Sequence, residues 1–169
     1  LTGGAKSWLA SCSSSTRGIF AGGLGTGGSS GVVNGIQYIT IASGGDGTSF
    51  GTLSTYNSYA AGASNSTRGL FFGGGFNGAL TNVIEYVTIA STGNSTDFGD
   101  LISPTYQLGA AAGATRAVAC GGRISGTPDY INVIQYVTIA SIGNATDFGD
   151  LTVAVWWDSS LCSYNGGVQ

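Results

Sequence analysis

RGLFFGGGFNGALTNVIEYVTIASTGNSTDFGDL, residues 68–101, decides the fold because the chain carries it more than once. A close copy runs from Arg116 to Leu151 and ends INVIQYVTIASIGNATDFGDL. A looser copy runs from Arg17 to Leu53 and contains GIQYITIASGGDGTSFGTL. Arg17, Arg68 and Arg116 mark the same place in each copy, and so do Tyr38, Tyr86 and Tyr136. The spacing is about 50 residues, the period of a propeller or array rather than of a helical solenoid.

Each copy divides into four short runs. The first is rich in small residues: Trp8–Ser11, Ser58–Ala63 and Gln107–Gly113. The second starts at the arginine and closes on a glycine pair: Gly22-Gly23, Gly73-Gly74 and Gly121-Gly122. The third is the most regular, with VIEYVTIA at Val83–Ala90 and VIQYVTIA at Val133–Ala140. β-Branched and aromatic residues dominate it, as a strand requires. Strict alternation puts Val83, Glu85, Val87 and Ile89 on one face, and Ile84, Tyr86, Thr88 and Ala90 on the other. The fourth run, Thr48–Leu53, Thr96–Leu101 and Thr146–Leu151, carries a phenylalanine each time: Phe50, Phe98 and Phe148. Between runs three and four, SGGDG, STGNS and SIGNA read as tight turns. The most variable part follows the glycine pair. It is LGTGGSSGVVNG, FNGALT or RISGTPDYI. Insertions in a repeat collect on one face, often a binding face, which nominates Phe76, Asn77, Asp129 and Tyr130 as ligand-loop residues.

The expectation is an all-β protein of three tandem four-stranded repeats plus a partial fourth. Copy one covers about 1–53, copy two about 54–101 and copy three about 102–151, all within one repeat domain. Residues 152–169 match the start of a further copy and include VAVWW at Val153–Trp157, a candidate exchange strand.

A glycine pair closing run two, a tyrosine in run three and an aromatic in run four resemble the kelch blade. The resemblance implies four-stranded propeller blades with the tyrosine and Phe50, Phe98 or Phe148 packed inside. Phenylalanine stands where the kelch family has tryptophan, and the tyrosine-to-aromatic interval is longer than the family's usual one. The wording NVIEYVTIASTGNSTDFGDL also resembles repeats of bacteriophage virion proteins, in particular tail and surface appendages. Propellers close with about four to eight blades. Three blades leave two raw sheet edges, which invite pairing. Either further chain or a second copy completes the circle, and two copies closing six blades is the economical solution. A contact that does not close gives a filament instead.

Composition narrows the function classes. Only 8% of residues are charged, 42% are apolar and 31 of 169 are glycine. Such a surface suits packing against copies of itself. A monomer kept soluble by Ser, Thr and Asn is the alternative. The five basic residues are scattered and the net charge is −3, so nucleic acid is not an expected partner. No apolar run approaches the ~18–20 residues needed to cross a bilayer. The absence of an initiator methionine suggests a processed end at Leu1, or the first residue of something longer.

The chain has no histidine, which excludes Ser-His-Asp and Cys-His catalysis. Cys12, Cys120 and Cys162 make an odd count, read as small buried thiols, with a bridge between neighbouring chains as the alternative. The glycine pairs lack the strand–GxxxxGK–helix context of a phosphate cradle. Asn94, Asp97 and Asp100, repeated as Asn144, Asp147 and Asp150, have the oxygens of a calcium site, or cap their own turns. Two carboxylates also suit glycoside hydrolysis, but a pair duplicated in each copy points to structure rather than to a single active site. Arg17, Arg68 and Arg116 form either a ring for an acidic ligand or a repeated hydrogen-bonding device between copies. Trp8, Trp156 and Trp157 stack on sugars or bury at interfaces. Asn65, Asn94 and Asn144 head N-x-S/T sequons.

The reading with most support is a non-enzymatic virion structural protein without a cofactor, a tail fibre, appendage or capsid decoration. Its partners are further copies of itself and other virion proteins, and its setting is the virion surface or the extracellular space. The alternative is a carbohydrate-binding or adhesive module that uses the loops after each glycine pair on a host-surface glycan.

Overall fold

The computed structural model describes residues 5–25, 31–76, 78–126 and 129–156, together with the backbone of the strand 161–162. The protein is all-β, with no α-helix among the described residues. No helix there is long and apolar enough to cross a membrane. Three sheets dominate. In each, the four strands of one copy lie side by side in chain order and antiparallel.

In copy one the strands are Ala10–Ser13, Arg17–Ala21, Gly35–Thr40 and Thr48–Thr52. In copy two they are Ala61–Ser64, Arg68–Phe72, Val83–Thr88 and Thr96–Asp100. In copy three they are Gly109–Ala112, Arg116–Cys120, Val133–Thr138 and Thr146–Asp150, and Leu161–Cys162 pairs in parallel with Gly109–Ala112. Val153–Trp156 is not a strand, and the Val155 carbonyl instead accepts the Gly122 N–H at 2.7 Å. Trp157 lies outside the described residues.

The glycine pairs end the second strands for a steric reason. Gly73 and Gly74 have φ of 58° and 98°, and a Cβ on Gly73 would collide with the Thr105 carbonyl. Only glycine takes that conformation without strain. The Gly74 N–H then donates to Thr105 O at 2.8 Å, as Gly23 N–H donates to Asn57 O at 2.8 Å. Each pair therefore clips its sheet to the segment that leads into the next copy.

Alternation along the third strand holds: Ile84 and Tyr86 pack toward copy three, and Val87 and Ile89 toward copy one. The strand's pairing with the fourth strand shifts register between Ile84 and Glu85, and the same bulge falls between Ile36 and Gln37 and between Ile134 and Gln135. Ile84 faces Gly99 and Glu85 faces Asp97, which leaves Phe98 as the extra residue. Ile84 and Glu85, neighbours on the chain, are both buried because copy three covers one face of the strand and copy one the other. Phe98 sets its ring edge against Tyr86 with centroids 5.8 Å apart, and Phe50–Tyr38 and Phe148–Tyr136 repeat this at 5.9 Å.

The core lies between sheets. One apolar cluster joins copies one and two through Ile19, Ile36, Phe50, Phe71, Val87 and Ile89. The other joins copies two and three through Leu70, Phe72, Ile84, Phe98, Val137 and Ile139. Successive first strands also sit side by side. The Tyr59 N–H donates to Trp8 O at 3.3 Å, the Gln107 N–H to Tyr59 O at 3.0 Å, and the Ser64 hydroxyl to Ser13 O at 2.7 Å.

Candidate functional site: two open end faces and an aromatic row

One set of contacts joins copy one to copy two and recurs between copies two and three. The Arg17 guanidinium donates to Ile89 O at 2.8 Å, and Arg68 to Ile139 O at 2.7 Å. Each guanidinium also lies over the tyrosine of its own copy, 4.5 Å from the Tyr38 centroid and 4.7 Å from Tyr86. This cation–π contact holds the arginine aimed across the joint. The turn of the later copy pairs with the fourth strand of the earlier one. Gly93 N–H donates to Phe50 O and Gly143 N–H to Phe98 O, both at 2.8 Å. Asn94 Oδ1 accepts the Thr52 N–H and Asn144 Oδ1 accepts the Asp100 N–H, both at 3.0 Å. A buried side chain completes the set: Glu85 Oε1 accepts the Ser54 N–H at 2.8 Å, and Gln135 Oε1 accepts the Ile102 N–H at 2.9 Å.

The same groups stand at the two ends of the array. Copy three presents Arg116, Phe148, Asp150 and Thr152 at the places of Arg68, Phe98, Asp100 and Ile102. Arg116 is exposed and lies over Tyr136 at 4.5 Å, in the pose of its two equivalents. Phe148 is 59% exposed, whereas Phe50 is 3% and Phe98 0% exposed. Copy one presents Ile41, Gly45 and Asp46 at the places of Ile89, Gly93 and Asn94. Ile41 is 51% exposed, whereas Ile89 and Ile139 are both 0%.

The six calcium candidates are not brought together. Asn94 and Asn144 serve the copy before their own, as above. Asp97 Oδ1 accepts the Gly99 N–H at 3.2 Å and Asp147 Oδ1 the Gly149 N–H at 3.1 Å, each bridging the bulge at Phe98 or Phe148. Asp100 and Asp150 sit opposite Val83 and Val133 at the ends of the fourth strands. No group of three or more His, Cys, Asp or Glu side chains converges among the described residues. Of the sequons, Asn65 caps its own turn through the N–H groups of Thr67 and Arg68.

The loop residues fall on one side of the sheets. Phe76 packs near Tyr56 with ring centroids 6.0 Å apart. Asn77 lies outside the described residues. Asp129 forms an ion pair with Arg123. Tyr130 stacks on Trp156 at 5.5 Å. Arg123 is central to this group although nothing in the sequence singled it out. Its guanidinium lies 5.5 Å from the Tyr106 ring and 5.4 Å from the rings of Tyr130 and Trp156. The Asp129 hydrogen bond raises its already high pKa.

A second feature was also missed. Trp8, Tyr59 and Gln107 occupy one place in successive copies and all have left-handed backbones, with φ of 56°, 61° and 55°. Trp8 stacks on Tyr59 at 4.4 Å, and Tyr59 meets the Tyr106 ring edge at 6.0 Å. Together with the Arg123 group they form a continuous aromatic row across the three copies. Only the alignment of the copies relates these three residues, because residue type gives no hint of a shared conformation. No protein-family model and no curated protein matches the chain.

Proposed function

We propose that this chain is a non-enzymatic structural protein whose sheets are kelch-like blades, and that each end face is completed by another blade of the same kind. For the 169-residue chain the completing partner is a second copy, docked head to tail, with two copies closing a ring of six blades as the simplest product. The observation that carries this reading is the contrast between Phe148 and Phe98. The two have the same sequence context and the same edge contact with tyrosine, yet one is buried by a following copy and the other is bare. Covering a phenylalanine side chain contributes about 1.5–3 kcal/mol. Arg116 and the Phe148 and Asp150 carbonyls are matched on the opposite face by Ile41 O and by the Gly45 and Gly47 N–H groups, the donor and acceptor types of the two internal joints.

A role in a virion, at its surface or extracellular, rests on the resemblance of NVIEYVTIASTGNSTDFGDL to phage repeats alone. Size-exclusion chromatography with light scattering tests the assembly. The expected result is a multimer that Phe148→Glu converts to a folded monomer. A wild-type monomer at concentrations of about 100 µM overturns the reading.

A further inference from the structure

We propose that the aromatic row at Trp8, Tyr59 and Gln107 is a binding site for a neutral saccharide. A cavity of about 330 Å³ opens beside these residues, floored by Ala10 and Ala61 at the starts of their strands and by Leu108 just before Gly109–Ala112. Its size falls in the range of pockets that hold small molecules, ~300–1,000 Å³. A second cavity of about 230 Å³ adjoins it on the other side of Tyr59, walled by Phe76 and Tyr106. The two share Tyr59, so the row offers consecutive places to a chain of rings.

The backbone argues that these side chains serve something besides the fold. The left-handed conformation lets each residue link to its neighbour through Tyr59 N–H to Trp8 O and Gln107 N–H to Tyr59 O. Glycine would make that link without strain and asparagine at little cost. Tryptophan and tyrosine stand there against the steric preference of L side chains. Trp8 nevertheless remains 41% exposed, so its ring leaves one area reachable from solvent. Gln107 Oε1 has no hydrogen-bond partner among the described residues, although it is shielded from solvent. The site thus combines aromatic surface with an unpaired acceptor that a ligand hydroxyl satisfies once the Gln107 side chain turns toward the cavity.

Charge selects the ligand class. No residue lining either cavity is charged. Arg123, at the far end of the row, is neutralised by Asp129 and enclosed by three rings. It holds that end in place and has little left for a phosphate or an acidic sugar. A neutral pyranose fits what remains, with a C–H face to stack on indole or phenol and hydroxyls to meet Gln107. A proline-rich peptide also stacks on aromatic grooves and serves as the competing outcome.

The test is an array of neutral gluco-, galacto-, manno- and N-acetylglucosamine oligosaccharides, followed by calorimetry on the bound glycans and on a proline-rich decapeptide. The expected result is saturable binding of at least one glycan. Trp8→Ala should weaken it about tenfold or more, and so should Gln107→Asn, which tolerates the left-handed backbone and shortens the reach. Phe148→Glu should bind as wild type does, which separates this site from the assembly. Absence of binding to every glycan on the array, binding that both Trp8→Ala and Gln107→Asn leave intact, or preference for the peptide overturns the proposal.

Discussion

Arg68 reaches out of its own sheet to donate a hydrogen bond to the carbonyl of Ile139 in the next, at 2.7 Å, while its guanidinium rests on the ring of Tyr86. Arg17 does the same toward Ile89. Arg116 keeps the stacking half of this arrangement and is exposed. Identical residues therefore carry different loads according to position in the array. Arg68→Met should lower stability by about 1–2 kcal/mol, because a charge-assisted bond and a cation–π contact are both lost. Arg116→Met should cost less, about 0.5–1 kcal/mol in the monomeric Phe148→Glu background by urea titration, because only the cation–π contact is lost.

The phenylalanines should separate in the same way. Phe98 fills the joint between copies two and three, and its truncation to alanine should cost about 3–5 kcal/mol. Phe148→Ala should change unfolding of the isolated chain by less than about 1 kcal/mol and reduce self-association instead. Comparable losses of folding stability in both variants would mean that the two sites are not distinguished by a covering copy.

Glu85 is buried, and its Oε1 accepts from the Ser54 N–H and from the Ser95 hydroxyl at 2.7 Å. Gln135 performs the first of these tasks in copy three with an amide oxygen. Glu85→Gln should therefore be tolerated within about 1 kcal/mol. Glu85→Leu strands a backbone N–H and a hydroxyl, and should cost about 1–3 kcal/mol by chemical denaturation.

Burial, reinforced by the neighbouring Tyr106, holds the Tyr59 phenol above its usual ionisation range. The unfolded phenol loses its proton near pH ~10, whereas the folded one keeps it to higher pH. In that window the folded state binds more protons, so stability falls as the pH rises beyond about 10. Urea midpoints at about pH 9 and 11 should drop further for wild type than for Tyr59→Phe.

How much of this was legible in the sequence depends on the kind of residue. Val83–Thr88 announces a strand by β-branching, and Gly73-Gly74 announces its own turn because only glycine fits beside the Thr105 carbonyl. The bulge at Phe98 was hidden. It is a property of pairing between strands, and alternation along one strand cannot register an extra residue on its neighbour. The asparagines looked like metal ligands because the sequence lists oxygens without their partners. In the folded chain Asn144 has already spent its oxygen on the Asp100 N–H. Arg123 was invisible for a different reason. Its place is held by Leu24 and Gly75 in the other copies, and only the folded loops bring Tyr106, Tyr130 and Trp156 around it.

In the proposed assembly the bare face of copy three fits the bare face of copy one. Ile41→Glu spoils one face and Phe148→Glu the other, so each variant retains a single intact and complementary face. Light scattering on each variant alone and on their equimolar mixture tests this directly. Each variant alone should be a monomer, and the mixture should give a heterodimer that grows no further. A mixture that stays monomeric while wild type assembles, or a single variant that assembles as wild type does, would contradict this fit.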